Sequence, residues 1–125
     1  MRHGAGEGVA ARNTLIAGAS AEAAATRLLL ERGYRIVERN FRCKAGELDL
    51  VAKDGSVLVF VEVRSRADAD HGHAAEMVDA HKQRQVARVA EHYLAIREPE
   101  YDEVRFDVVA ITGGEAELIQ DAWRL

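Results

Sequence analysis

One stretch decides the fold of this 125-residue chain: residues 46–66, which read GELDLVAKDGSVLVFVEVRSR. Two apolar-rich runs flank the dipeptide Asp54-Gly55, and Asp-Gly is among the dipeptides most typical of a tight β-turn. The stretch therefore predicts a hairpin of two antiparallel strands.

The register of this hairpin decides which side chains share a face. If Asp54 and Gly55 are the central residues of the turn, Glu47 faces Glu62 and Asp49 faces Phe60. The two-residue period then gives one apolar face suited to a helix, made of Leu48, Leu50, Val59, Val61 and Val63. The other face gathers Glu47, Asp49, Glu62 and Arg64, and a β-bulge at the turn would scatter them.

Such a cluster of carboxylates has a specific chemical use. Neighbouring acids repel one another, so the cluster costs stability unless a cation or a shared proton offsets the repulsion. Carboxylate oxygens are ligands for Mg²⁺ or Mn²⁺, and such an ion could activate a phosphodiester. Spacing alone slightly favours the alternative, an exposed strand face on which Arg64 neutralises Glu62.

The rest of the chain can be divided outward from the hairpin. Apolar spacing and turn residues predict a helix from Thr14 or Ser20 to Arg32, a strand over Tyr34–Asn40, a histidine-bearing loop over Ala67–Ala74, a helix near Glu76–Arg97, and strands over Val104–Thr112 and Ala116–Gln120. This order predicts a mixed sheet with packed helices. We interpret residues 1–17 as a flexible arm and residues 18–125 as a single domain.

Composition excludes several classes of protein. With 48% hydrophobic and 30% charged residues, the chain has the balance of one globular domain. No apolar run approaches the ~20 residues needed to span a bilayer, so we expect no membrane association. Met1–Ala19 holds no continuous apolar segment of the secretory type, which favours a cytoplasmic protein. The lone Cys43 offers neither an intrachain disulfide nor a Cys-x-x-Cys zinc site.

The charge is unevenly distributed around a net value of -4. Six basic and two acidic residues lie between Arg27 and Lys44, whereas eight acidic residues and one arginine lie between Glu98 and Asp121. A polyanion should therefore meet the basic side. Two merely solvated charged faces explain the same pattern equally well.

Several motifs, taken in order, resemble those of a known family. They are Glu22 on the first helix, Arg39-Asn-Phe-Arg-Cys, Gly46-Glu-Leu-Asp-Leu-Val-Ala, Phe60-Val-Glu-Val-Arg-Ser-Arg, Lys82, and Arg105-Phe-Asp-Val-Val. Over roughly Gly18 to Trp123 the chain resembles the YraN-like bacterial family, which is similar to the PD-(D/E)XK nuclease superfamily of restriction enzymes and archaeal Holliday-junction resolvases. The resemblance implies a restriction-endonuclease-like α/β core, a mixed β-sheet of about five strands flanked by two main helices.

The resemblance also implies roles for individual residues. Asp49 would be the first-motif metal ligand, Glu62 the acid of the E-x-K motif, and Glu22 an additional carboxylate; we expect all three to converge on Mg²⁺ or Mn²⁺. Arg64 stands where the motif has lysine, and arginine can hold a phosphate but cannot act as a base. Lys82 is a partial substitute, or else a lysine whose charged end merely reaches solvent.

The expected function is that of a metal-dependent endonuclease-like protein acting on structured or branched nucleic acid, with DNA preferred to RNA. The alternative is a noncatalytic nucleic-acid-binding module of the same fold, impaired by Arg64, and a third option is a protein-binding scaffold. Nucleic acid is expected to approach over the Arg27–Lys44 surface, with contacts from Arg35, Arg39, Arg42, Lys44 and Arg66. The sequence leaves open whether the chain is an enzyme and whether it forms a homodimer.

Overall fold

The computed structural model describes residues 14–66 and 78–124, without the side chains of residues 14–20 and of Arg66. These ranges form α1 (Thr14–Glu31), β1 (Arg35–Cys43), β2 (Gly46–Asp54), β3 (Val57–Arg66), α2 (Ala80–Arg97), β4 (Glu103–Thr112) and β5 (Glu115–Trp123). The predicted order of elements is confirmed. Neither described helix is long and apolar enough to cross a bilayer.

Two predicted segments lie partly or wholly outside these ranges. Residues 1–13 of the predicted arm are not described, whereas residues 14–17 belong to α1. The predicted histidine-bearing loop Ala67–Ala74 also lies outside the described residues.

The described strands form one five-stranded sheet in the order β1-β2-β3-β4-β5. Neighbouring strands are antiparallel except β3 and β4, which are parallel. A parallel pair needs a crossover connection, and α2 lies in that connection. The predicted class, an α/β fold with a mixed sheet of about five strands and two main helices, is confirmed.

The two helices cover opposite faces of the sheet, which we call the α1 face and the α2 face. On the α1 face, Ala25 and Leu29 pack against a cluster that includes Leu50 and Val61. On the α2 face, the buried helix residues are Val86, Val89, Ala90 and Tyr93, which pack against Phe41, Phe60 and Phe106. Each helix therefore buries one apolar stripe, and the core is divided between the two faces.

Capping fixes where α2 begins and ends. Asp79 is the N-cap, and its side chain accepts a hydrogen bond from the backbone N–H of Lys82 at 2.9 Å. Glu98 takes the left-handed conformation at the C-cap, and Pro99 follows it. The helix thus starts at Ala80 rather than near Glu76, and Lys82 lies in its first turn.

The hairpin between β2 and β3 differs from the predicted one in its register. Asp54 pairs with Val57, so the two central turn residues are Gly55 and Ser56, and Gly55 has φ 63°. A glycine at the first central position is typical of the type II′ turn, which competes with the predicted Asp-Gly turn. The predicted pairing of Asp49 with Phe60 is therefore wrong.

Candidate functional site

The candidate site lies where β2 and β3 separate. Their pairing runs from the turn as far as Leu50 and Val61, and the next residues in register would be Asp49 and Glu62. At this point the backbone N–H of Val63 donates to Oδ2 of Asp49 at 2.9 Å. A side-chain carboxylate thus takes the place of a backbone acceptor, and the two strands form a fork around it.

The alternation of side chains along β2 is interrupted at the same point. Leu48 and Val51, three residues apart, both pack on the α2 face, whereas Leu50 packs on the α1 face. The prediction that Leu48 shares a face with Leu50 is therefore wrong, because strict two-residue alternation does not hold through Asp49.

Strand β1 carries a matching irregularity. Glu38 accepts hydrogen bonds from Arg97 of α2, and the Arg97 guanidinium also lies over the ring of Phe41. Glu38 and Phe41, three residues apart, thus both face α2. Between them Asn40 has φ 55°, in the left-handed region. The pairs on either side place Asn40 directly across from Asp49.

Glu62 is a buried acid with a basic partner. Its side chain is only 3% exposed, and its Oε1 lies 3.8 Å from Nζ of Lys82. The predicted inward position of Lys82 on the second helix thus corresponds to a contact with Glu62.

The two carboxylates at the fork hold their protons more tightly than usual. Burial, followed by the neighbouring Asp49 charge, raises the pKa of Glu62 from 4.5 to about 7, although Lys82 and Arg64 oppose the shift. Burial also raises the pKa of Asp49, against the hydrogen bond from Val63 and the two nearby cations. Both shifts therefore arise mainly from burial, and the nearby cations oppose them without reversing them.

Arg64 lies two residues after Glu62 on β3 and is half-buried. Its charge acts on both Glu62 and Asp49. Its Nε is buried and has no hydrogen-bond partner among the described residues. A buried donor of this kind can accommodate an additional acceptor.

Glu22 approaches the fork from α1. Together with Ala21, Asp49, Val63 and Ser65 it lines a cavity of about 270 Å³. Its Oε1 accepts a hydrogen bond from Nδ2 of Asn40 at 3.3 Å. The sequence pattern does not indicate Asn40 as a site residue, although asparagine is a residue type that tolerates positive φ.

The arrangement of the three acids differs from the expected one. Within residues 14–66 and 78–124, no group of three or more His, Cys, Asp or Glu side chains is close enough to hold a metal ion. Asp49 is the next residue in register across from Glu62, and its charge acts on Glu62, whereas Glu22 lines a cavity with Asp49 and is bonded to Asn40. The three acids therefore do not form one cluster among the described residues, and their convergence on one ion stays a prediction.

The predicted nucleic-acid contacts lie mainly along one edge of the sheet. Arg35, Arg39 and Arg42 are exposed on the edge strand β1, and Lys44 is exposed in the turn that follows. Arg42 also lies 3.4 Å from the exposed Glu47. Arg66 ends β3, and its side chain is outside the described part of the structure.

The acidic segment lies only partly at the opposite edge, because its first acids, from Glu98 to Glu103, lie between α2 and the start of β4. Glu115 and Glu117 are exposed on β5, which is the other edge strand. Asp107, however, is fully buried and accepts hydrogen bonds from the Tyr34 hydroxyl at 2.7 Å and from Nε of Arg105 at 2.9 Å. Asp107 is thus a structural residue and does not contribute to the acidic surface.

The residues of the candidate site lie within a stretch of the chain that matches known proteins. The model of "Uncharacterised protein family UPF0102" matches residues 21–111. A UPF0102 protein of Lachnoclostridium phytofermentans is 40% identical over 112 residues, covering 89% of this chain and 95% of that protein. One from Herminiimonas arsenicoxydans is 47% identical over 107 residues, covering 86% of each chain. One from Symbiobacterium thermophilum is 46% identical over 111 residues, covering 85% of this chain and 94% of its own.

Proposed function

We propose that this chain, which belongs to the uncharacterised protein family UPF0102, is a metal-dependent endonuclease-like protein that acts on structured or branched nucleic acid. UPF0102 is the YraN-like family, so the predicted family is confirmed. The observation that carries the proposed activity is the pair of neighbouring carboxylates at the fork of β2 and β3, of which Glu62 is buried and Asp49 half-buried. Burying an ionised carboxylate costs free energy, and burying two close together costs more, unless a bound cation offsets their charge.

The donor set fits Mg²⁺ or Mn²⁺. Asp49 and Glu62 supply hard carboxylate oxygens, and a cation here would offset the burial and the Asp49 charge that raise the pKa of Glu62. Such an ion would supply a Lewis acid to a phosphodiester. Glu22 adds a third negative charge, in the cavity that Asp49 also lines.

The basic residues of the site would act on the substrate and on the acids. Arg64 stays protonated, so it can donate hydrogen bonds to a phosphate but cannot remove a proton from water. Lys82, at 3.8 Å from Glu62, favours the ionised form of that acid. Lys82 is also the candidate to replace the lysine of the E-x-K motif, because Arg64 stands at that position of β3.

The basic edge supports nucleic acid as the ligand. Asn40 lies across from Asp49, and Arg39 and Arg42 flank it on β1, so the exposed guanidinium groups border the fork. Phosphates that contact this edge would lie close to the carboxylates. DNA in preference to RNA and a cytoplasmic location remain expectations from the sequence, which leaves open whether the chain forms a homodimer.

A noncatalytic nucleic-acid-binding module is the second candidate. Arg64 is the observation that favours it, because no lysine stands at the corresponding place on β3. Both candidates require the same fold and the same basic edge, and they differ only in chemistry.

The deciding experiment measures binding and cleavage together. Mn²⁺ binding is followed by calorimetry, and cleavage is followed on supercoiled, single-stranded and four-way-junction DNA and on structured RNA. We expect Asp49→Asn to abolish both metal binding and cleavage, because it removes an anionic ligand. Glu47→Gln is the matched control, since Glu47 is exposed on the same strand, and it should change neither.

Arg64→Lys separates the two candidates. In a module limited by the missing lysine, this variant should create metal-dependent cleavage, because it restores an amine that can lose a proton. In a working enzyme that uses Arg64 to hold a phosphate, the wild type should cleave and the variant should be slower. If both forms bind nucleic acid and cleave nothing with any metal, the noncatalytic module is correct.

A further inference from the structure

Asn40 has an unusual backbone for the interior of a strand. Its φ of 55° is left-handed, a conformation that disfavours most side chains and that asparagine tolerates better than most. It is exposed, so packing does not force this conformation. The conformation turns the strand at the residue that faces Asp49.

The Asn40 side chain makes a directed contact with α1. Its Nδ2 donates to Oε1 of Glu22 at 3.3 Å, across 18 residues of sequence. The backbone of Glu22 is held as well, because the hydroxyl of the buried Thr26 donates a hydrogen bond to the Glu22 carbonyl oxygen at 2.9 Å. The carboxylate is thus held from β1 at the wall of the cavity that Asp49 also lines.

We propose that Asn40 is a positioning residue, whose amide holds the Glu22 carboxylate at the cavity where Asp49 lies. This inference rests on the proposed function, since it gives Glu22 a place in the same cation-binding site. A neutral donor suits this role, because it orients Glu22 and leaves its negative charge intact, whereas a lysine would cancel that charge. The two irregular residues, Asn40 and Asp49, then shape the site from neighbouring strands.

Two substitutions separate the amide from the backbone conformation. Asn40→Gly removes the amide but adopts positive φ without cost, so its melting temperature should stay close to that of the wild type. Asn40→Ala removes the amide and also disfavours the conformation, so it should melt earlier. Both should weaken Mn²⁺ binding, about 10-fold or more for Asn40→Gly, as expected for loss of a residue that orients a ligand.

A double-mutant cycle shows whether Asn40 acts through Glu22. Mn²⁺ affinity is measured by calorimetry for the wild type, Asn40→Gly, Glu22→Gln and the double variant. Because the amide acts on the Glu22 carboxylate, Asn40→Gly should have no further effect once Glu22 is Gln. An equal loss in both backgrounds, or wild-type affinity in Asn40→Gly, would overturn the proposal.

Failure of the proposed function gives a different result. A wild-type chain that binds no Mn²⁺ overturns the metal site itself. The contact is then tested in the metal-free protein by the side-chain amide resonances of Asn40 in ¹⁵N spectra. Glu22→Gln should shift these resonances, whereas Glu31→Gln, at an exposed position of the same helix, should leave them in place. Unmoved resonances in Glu22→Gln would overturn the contact as well.

Discussion

Glu62 shows how much stability a single residue of the site costs. Its folded-state pKa of about 7 lies above the ordinary 4.5, so the folded protein binds this proton more tightly than the unfolded chain does. Because one pKa unit corresponds to about 1.4 kcal/mol, ionised Glu62 destabilises the fold by about 3 kcal/mol. Because a globular domain is only marginally stable, it can contain few residues with so high a cost.

The cost of Glu62 should depend on pH. Its contribution is most favourable below about pH 4.5, where the acid is neutral in both states, declines as the pH rises to about 7, and is constant above that. Glu62→Gln cannot ionise, so its gain in unfolding free energy over the wild type should grow by about 3 kcal/mol between pH 4.5 and 7.5. Urea titrations at several pH values measure this difference. A gain that is the same at every pH would contradict the assignment, and Glu47→Gln, at an exposed position of β2, is the control for replacing a glutamate by glutamine.

At this scale the sequence identified the acids but not their arrangement. Carboxylates on neighbouring strands could be recognised from the spacing of Asp49 and Glu62, and Lys82 from its place on the inner stripe of a helix. The bond between Glu22 and Asn40 could not, because it joins a helix to an edge strand through a left-handed residue. Nothing in an alternating strand pattern predicts that conformation.

Among the elements, the β2–β3 hairpin shows why a wrong register still predicted that Asp49 and Glu62 are neighbours. Moving the turn from Asp54-Gly55 to Gly55-Ser56 shifts every cross-strand partner by two residues. A shift of two keeps each side chain on its original face, whereas a shift of one would not. In the observed register Asp49 and Glu62 are the next residues across from each other, so they stay neighbours. The face change at Leu48 could not be predicted, because it arises from the local irregularity at Asp49.

Gly46 controls the distance between the start of β2 and α2. It has φ 141°, and a Cβ added there would lie 3.0 Å from Cγ2 of Val89 and 3.4 Å from Nε2 of Gln85. Gly46→Ala should therefore lower the unfolding free energy by about 2–3 kcal/mol through backbone strain and overpacking. Gly55→Ala is the matched control: φ is 63°, but nothing lies within 4 Å of the added carbon, so about 1 kcal/mol is expected. Equal losses in the two variants, measured by chemical denaturation, would show that contact with α2 is unimportant.

At the scale of the whole molecule, the sheet separates charge of opposite sign. The basic strand β1 and the acidic strand β5 are the two edges, with β2, β3 and β4 between them. A polyanion is attracted to one edge and repelled by the other, which would orient it relative to the fork.

Neutralising the basic edge should change how binding depends on salt. Changing Arg35, Arg39 and Arg42 together to Gln should weaken duplex binding and reduce the slope of log K against log salt by about 2–3, if each guanidinium contacts one phosphate. Arg124→Gln is the control, because Arg124 is exposed but paired with Asp121 near the acidic edge. Fluorescence anisotropy between about 50 and 300 mM salt measures both slopes. A triple variant with the wild-type slope would place the nucleic acid elsewhere.

The strand order also has a kinetic consequence. Asp49 and Glu62 belong to one hairpin, so their approach closes only a short loop. Strand β4 pairs with β3 in parallel, and this pairing closes a much longer loop that contains α2. We expect the hairpin to be formed in the folding transition state and β4 to dock after it. Val51→Ala in β2 should then slow refolding, while Val108→Ala in β4, equally buried on the same face, should mainly accelerate unfolding. Stopped-flow chevron plots of the two variants test this order, and the reverse assignment of rates would refute it. On this route the acids of the site come together before Lys82 reaches them, and their repulsion opposes the early step of folding.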